Sequence, residues 1–181
     1  LGHQSLLHAR LKRVGSALSE YSFANLYLFR KPHDYQVMTC PEGVFIAGKA
    51  YDGSRFLMPT EEITQDNVAT VLSTLKKGEH LFPVPGAWLP AFEGQAVLAE
   101  FSEDDSDYVY TAEKLSTYKG QKLHGQKNLL NQFLARYMPD AKPLTRERVD
   151  DAREILETWQ TDVGEEKTAT DYFPCREALD L

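Results

Sequence analysis

Between Asp107 and Leu134 the apolar residues change their period from 2 to 3.6, so a chain with this sequence must pass there from an extended segment into a helix. Tyr108 and Tyr110 alternate around Val109 and predict a strand with one tyrosine facing the core, while Leu123, Leu129, Leu130, Phe133 and Leu134 recur at helical spacing. At the junction stand Lys119 and Lys122, followed on the helix by Lys127, Asn128 and Asn131. Ammonium and amide groups of this kind suit phosphate, carboxylate or carbonyl oxygens. Together with Tyr110 at the strand end, these six are the candidate substrate-binding residues. Read for packing alone, the same lysines are the solvated face of an amphipathic helix, since exposed lysine is common.

The rest of the chain reads as an α+β domain. Leu6, Leu7, Leu11, Val14 and Leu18 predict a helix over residues 1–19. Residues 35–38 and 44–46 predict a strand pair joined by Pro41-Glu42-Gly43, and residues 55–58 a third strand after the turn Asp52-Gly53. Asp66 is placed to cap a helix through Lys77, with Gly78 as its stop. Short strands are expected at residues 80–83 and 97–101, the second leading into the tyrosine strand. Pro139 and Pro143 mark a break, after which Val149, Ala152, Ile155, Leu156 and Trp159 form the inner face of a helix to about Gln160. A meander of strands mixed with helices in this order fits the α+β class.

The net charge of −7 is unevenly distributed. Residues 149–181 hold ten Asp/Glu against three Lys/Arg, whereas Thr111 to Arg148 hold eight Lys/Arg against three Asp/Glu. A ligand feels the local field, screened over roughly 8 to 10 Å, so an acidic chain with this pattern keeps a site for an anion. Cys40 and Cys175, the only cysteines, form no Cys-x-x-Cys pair, and the five histidines show no zinc-ligand spacing. No metal and no cofactor are expected. No apolar run reaches the roughly 20 residues of a transmembrane helix and no signal peptide is visible, so a cytoplasmic protein is the expectation.

The run from Asp107 to Phe133 resembles the Asp-Tyr-(Val/Ile)-Tyr, Leu-x-x-Leu-Lys-Gly-Lys-Lys and Lys-Arg-Asn-x-(Leu/Ile)-Asn-x-Phe segment of the bacterial family related to the C-terminal domain of phosphatidylglycerol lysyltransferase. Ser22-Phe23-Ala24-Asn25-Leu26-Tyr27-Leu28-Phe29 resembles that family's earlier Ser-x-Phe-x-Asn-Leu-x-x-Trp signature. The two matches span roughly residues 15 to 140. Gly125 and Gln126 stand at basic positions, Lys127 where Arg is usual and Phe29 in place of Trp. These departures bear on activity more than on fold.

The resemblance implies a fold like that of the GCN5-related N-acetyltransferases (GNAT), a mixed sheet flanked by helices, present in two tandem copies. Residues 1–142 then correspond to the first GNAT-like copy, and 143–181 to a linker helix with the start of a second copy that this stretch lacks. The first residue is not Met, which fits a processed terminus or a truncated chain. The implied activity is transfer of an aminoacyl group from aminoacyl-tRNA to a lipid or another amine or hydroxyl acceptor. Lys119, Lys122 and Lys127 would stabilise charge, and Asn128 or Asn131 would orient a carbonyl. The implied partners are aminoacyl-tRNA or an anionic lipid headgroup, with a second GNAT-like domain or another copy of the chain completing the assembly.

Two other function classes are open at this stage. One is a non-catalytic GNAT-like module that binds an anionic ligand or a protein. The other is an acetyl-CoA-dependent N-acetyltransferase. Lys12-Arg13-Val14-Gly15-Ser16-Ala17 only echoes the pyrophosphate loop such an enzyme needs, and it falls at a helix end instead of following a strand. Lys119-Gly120-Gln121-Lys122 lacks the spacing of a P-loop.

Overall fold

A computed structural model describes residues 2–103, 105–168 and 170–181. Helix α1 (Gln4–Val14) buries Leu7 and Leu11, four residues apart on one face, and ends at Gly15. Gly15 has φ +62° and donates its N–H to the Leu11 carbonyl, a left-handed cap that glycine adopts without steric cost. The Lys12 to Ala17 stretch is therefore a helix terminus. Ser22 then caps α2 (Phe23–Leu28), its hydroxyl accepting from the Asn25 N–H at 3.2 Å, while Leu26 enters the core. The Ser22-Phe23-Ala24-Asn25-Leu26 run thus encodes a cap followed by a core anchor.

Four strands form the sheet in the order β1 (Gln36–Cys40), β2 (Gly43–Lys49), β3 (Arg55–Pro59) and β4 (Glu79–Leu81). The first two pairings are antiparallel and the third is parallel, because α3 (Val68–Ser73) carries the chain back between β3 and β4. Val44, Phe45 and Ile46 are consecutive and all buried, as are Phe56, Leu57 and Met58, so both faces of the central pair are covered. Gly48 opposes Phe56 in the register, and a Cβ there would lie 2.6 Å from the Phe56 ring and 2.9 Å from that of Tyr35. Only glycine admits this approach. Tyr21 packs edge-on against buried Trp88 at 5.8 Å and donates its hydroxyl to the Pro83 carbonyl at 3.1 Å.

Several expectations are corrected. Residues 108–110 are not a strand, and Tyr108 is 87% exposed, with Val109 and Tyr110 also on the surface. Residues 97–101 likewise form no strand among the described residues, and Leu98 and Phe101 lie in solvent. Alternation records a preference for extended backbone, but a strand needs a ladder partner, and among the described residues the sheet ends at β4. The Ser19 N–H, donating to Asp107 Oδ2 at 2.7 Å, ties the segment to the body. Asn67, not Asp66, precedes α3, and its side chain serves the loop by accepting from the Thr64 N–H and donating to the Glu62 carbonyl.

Helices α4 (Ala112–Thr117) and α5 (His124–Arg136) follow, then α6 (Val149–Val163) and α7 (Tyr172–Asp180). The last two pack as a hairpin. Its centre is Gln160, 5% exposed, which donates to the Glu165 carbonyl at 2.8 Å and accepts from the Thr170 hydroxyl at 2.6 Å. The face of α6 expected to point inward is in part open, with Ile155 71% exposed and Trp159 half-exposed.

Candidate functional site

The candidate site occupies the α4–α5 segment. Thr111 caps α4 by accepting from the Lys114 N–H at 3.2 Å. The helix is stopped by Tyr118 at φ +46° and Gly120 at φ +107°. This reversal presents Lys119 at its tip, and the 3-10 turn Gln121–Leu123 that follows carries Lys122 outward while burying Leu123. Helix α5 then displays Lys127, Asn128 and Asn131 to solvent. The Asn128 amide nitrogen lies 3.4 Å from His124 Nδ1, one turn back. Tyr110 sits at the start of the segment with the Lys114 ammonium 5.4 Å from its ring centre.

Five of the six residues therefore share one turn–helix unit, and all six are accessible. Tyr110 reaches the unit through irregular chain instead of from a sheet edge. The segment from Lys114 to Met138 contains no Asp or Glu, while Lys114, Lys119, Lys122, Lys127 and Arg136 all lie within it. The result is a one-sign surface field of a kind that raises the local concentration of polyanions. Asn128 and Asn131 place amide N–H donors beside it.

A second feature had no sequence signal. A cavity of about 110 Å³ lies between α1, α2 and the first strands, walled by Leu7, Phe23, Leu26, Val37 and Ile46 with Tyr27 and Arg30 at its edge. The Arg30 guanidinium stacks on the Tyr27 ring at 3.9 Å and pairs with Glu177 of α7. Nearby, burial raises the Tyr35 hydroxyl pKa well above the usual tyrosine range, and the Glu20 carboxylate adds to the rise. Glu20 is itself pushed up, chiefly by burial and further by Asp107 and Asp105.

A mixed sheet flanked by helices, ordered as here and followed by a cationic turn–helix, defines a GNAT-like α+β domain. The chain belongs to the family described as phosphatidylglycerol lysyltransferase, C-terminal, whose model matches residues 11–177. That span takes in the sheet, the basic segment and nearly all of the α6–α7 hairpin. Comparison with curated proteins and with solved structures returned no match. Membership places the chain in a family of lysyltransferase-type aminoacyl transfer domains. No helix among the described residues is long and apolar enough to cross a membrane.

Proposed function

We propose that this chain is the first GNAT-like unit, residues 1–142, and the linking hairpin, residues 143–181, of an aminoacyltransferase that takes its acyl group from aminoacyl-tRNA and delivers it to a lipid or another amine or hydroxyl acceptor. The observation that carries the reading is the acid-free cationic segment from Lys114 to Met138, displayed on a surface turn and helix within a family named for lysyl transfer. Phosphates of a nucleic acid or of an anionic lipid are the groups such a surface holds.

The chemistry asked of the protein is modest. The acceptor oxygen or nitrogen attacks the carbonyl of the aminoacyl ester, the bond to the tRNA ribose oxygen breaks, and the acceptor's proton passes to that leaving oxygen. Catalysis then rests on holding the reacting atoms about 3 to 3.5 Å apart and on donors for the developing oxyanion. In this reading Lys119, Lys122 and Lys127 hold phosphates, Asn128 and Asn131 offer amide donors to a carbonyl, and Tyr110 flanks the acyl group. A second GNAT-like unit completes the enzyme.

The test is binding of tRNA and of anionic vesicles by the chain with and without its lysines. Replacing Lys119, Lys122 and Lys127 by Ala should weaken binding to whichever is the ligand. If the chain binds neither, the non-catalytic module that takes a protein partner becomes the better reading.

A further inference from the structure

The cavity beside Arg30 belongs to the interior of the fold and not to an open face. Leu7, Leu26 and Ile46, which wall it, are 3%, 4% and 2% exposed, so its floor is core, and half-buried Tyr27 and Arg30 stand at its edge. Apolar walls with one fixed cation at the rim suit a small molecule that is apolar at one end and anionic at the other. The rim already grips a carboxylate. Arg30, stacked on the Tyr27 ring at 3.9 Å, pairs both of its Nη atoms with the Glu177 carboxylate, the planar fork geometry by which guanidinium recognises that group. Those bonds, with the charges of Arg30 and Lys31 and the Tyr27 hydroxyl, hold the Glu177 carboxyl below its ordinary value, so the cradle selects the ionised form. The occupant comes from α7, a helix that touches α2 lightly. Its side chain and that of Arg30 are 23% and 29% exposed, so an incoming anion can reach the fork.

We propose that the cavity binds a small carboxylate with an apolar tail, the tail lying against Leu7, Leu26 and Ile46 and the carboxylate taking the Arg30 fork from Glu177. The volume sets the tail. A dry cavity of about 150 Å³ takes up benzene, so one of about 110 Å³ admits a tail on the order of four to five carbons. An apolar molecule without the carboxylate leaves Arg30 to Glu177, and an anion without the tail competes poorly with a carboxylate tethered beside the fork. Both parts are needed. Ligand and hairpin are then linked, since an anion on Arg30 releases α7 and a released α7 leaves Arg30 open to the anion. The inference goes beyond the transfer reading and uses none of the residues assigned to substrate there.

The probe is 4-methylpentanoate, titrated into the 181-residue chain and followed by NMR. Saturable shifts are expected at Leu7, Leu26 and Ile46 of the wild type, and the α7 amides should move toward their positions in Glu177→Gln. That variant should bind the probe about fivefold more tightly or better, the low end of coupling between linked sites. Adding Arg30→Gln to it should weaken binding by about tenfold or more, the loss of a charge-assisted bond. Both side chains are partly exposed, so the variants should fold, and thermal melts check this. Against Glu177→Gln, 4-methylpentanamide and acetate, lacking the charge and the tail, should each bind more weakly than the probe. Replacing Lys119, Lys122 and Lys127 by Ala should leave probe binding as in the wild type, which separates this site from the basic segment. No saturable binding to Glu177→Gln would overturn the proposal. So would equal affinity of the wild type and Glu177→Gln, which makes the pair a structural tie alone, or acetate matching the probe, which puts the anion on an exposed arginine outside the cavity.

Discussion

Arg30, just past the end of α2, and Glu177 of α7 are 147 residues apart and joined by two bonds, Nη1 donating to Oε2 at 3.0 Å and Nη2 to Oε1. The pair fastens the C-terminal hairpin to the sheet body, because α2 and α7 are otherwise in light contact. Arg30 is held in place for this by stacking on Tyr27 and by donating to the Tyr27 carbonyl.

The attachment should depend on acid. The bonds from Arg30 hold the Glu177 carboxyl below its ordinary value of 4.5. A depressed folded-state value means the stabilisation is complete above the unfolded value and is lost as pH falls through the folded one. Amide shifts of α7 followed by NMR should stay constant from pH 7 to about 5 and move below 4.5. Glu177→Gln should show the released shifts at every pH. Shifts in the wild type that are flat down to pH 3 would contradict the assignment.

Gly48→Ala should destabilise the sheet body by about 1 to 3 kcal/mol, since the added methyl meets the rings of Phe56 and Tyr35 in a packed core. For a domain of this size the melting temperature should fall by roughly 2 to 4 °C per kcal/mol. Gly125→Ala is the control. Nothing lies within 4 Å of a Cβ built there, and it sits in the first turn of α5, so the melt should be unchanged or slightly raised.

Gln160→Leu should loosen the α6–α7 hairpin, because the Glu165 carbonyl and the Thr170 hydroxyl would lose their partner inside a closed contact. The expected cost is about 0.5 to 1.5 kcal/mol per lost bond, the net worth of a hydrogen bond whose freed partners can reach water. Hydrogen exchange should quicken in residues 149–163 and 172–180 while the sheet amides stay protected. Uniform loss of protection across the chain would mean that the hairpin and the sheet unfold as one unit.

What the sequence disclosed follows the range over which each signal acts. The strand pair at β1 and β2 and the helix α5 were legible because period and turn chemistry are local, whereas the helix expected to run through Lys77 to a stop at Gly78 ends at Ser73. Tyr108-Val109-Tyr110 has the alternation of a strand and became exposed coil, since no local pattern reveals whether a neighbouring strand exists to pair with it. The same limit explains Ile155 and Trp159, whose helical spacing was read correctly while both are exposed among the described residues. Arg30 and Glu177 gave no warning at all, their meeting depending on how the whole chain returns. For the candidate segment, the grouping of Lys119, Lys122, Lys127, Asn128 and Asn131 on one turn–helix was legible, with Tyr110 expected on a strand end and found on irregular chain.

The central claim is that Lys119, Lys122 and Lys127 act together on a phosphate-bearing substrate, and titration of tRNA into the wild type and the triple Ala variant at two salt concentrations tests it most directly. Each lysine that neutralises a phosphate adds about 0.7 to 0.9 to the magnitude of the salt slope, so the variant should bind more weakly and its slope should be shallower by about 2 to 3. Thermal melts of the two proteins should coincide, as the three side chains are exposed. Equal affinities with equal slopes would make these lysines a solvated helix face and contradict the account.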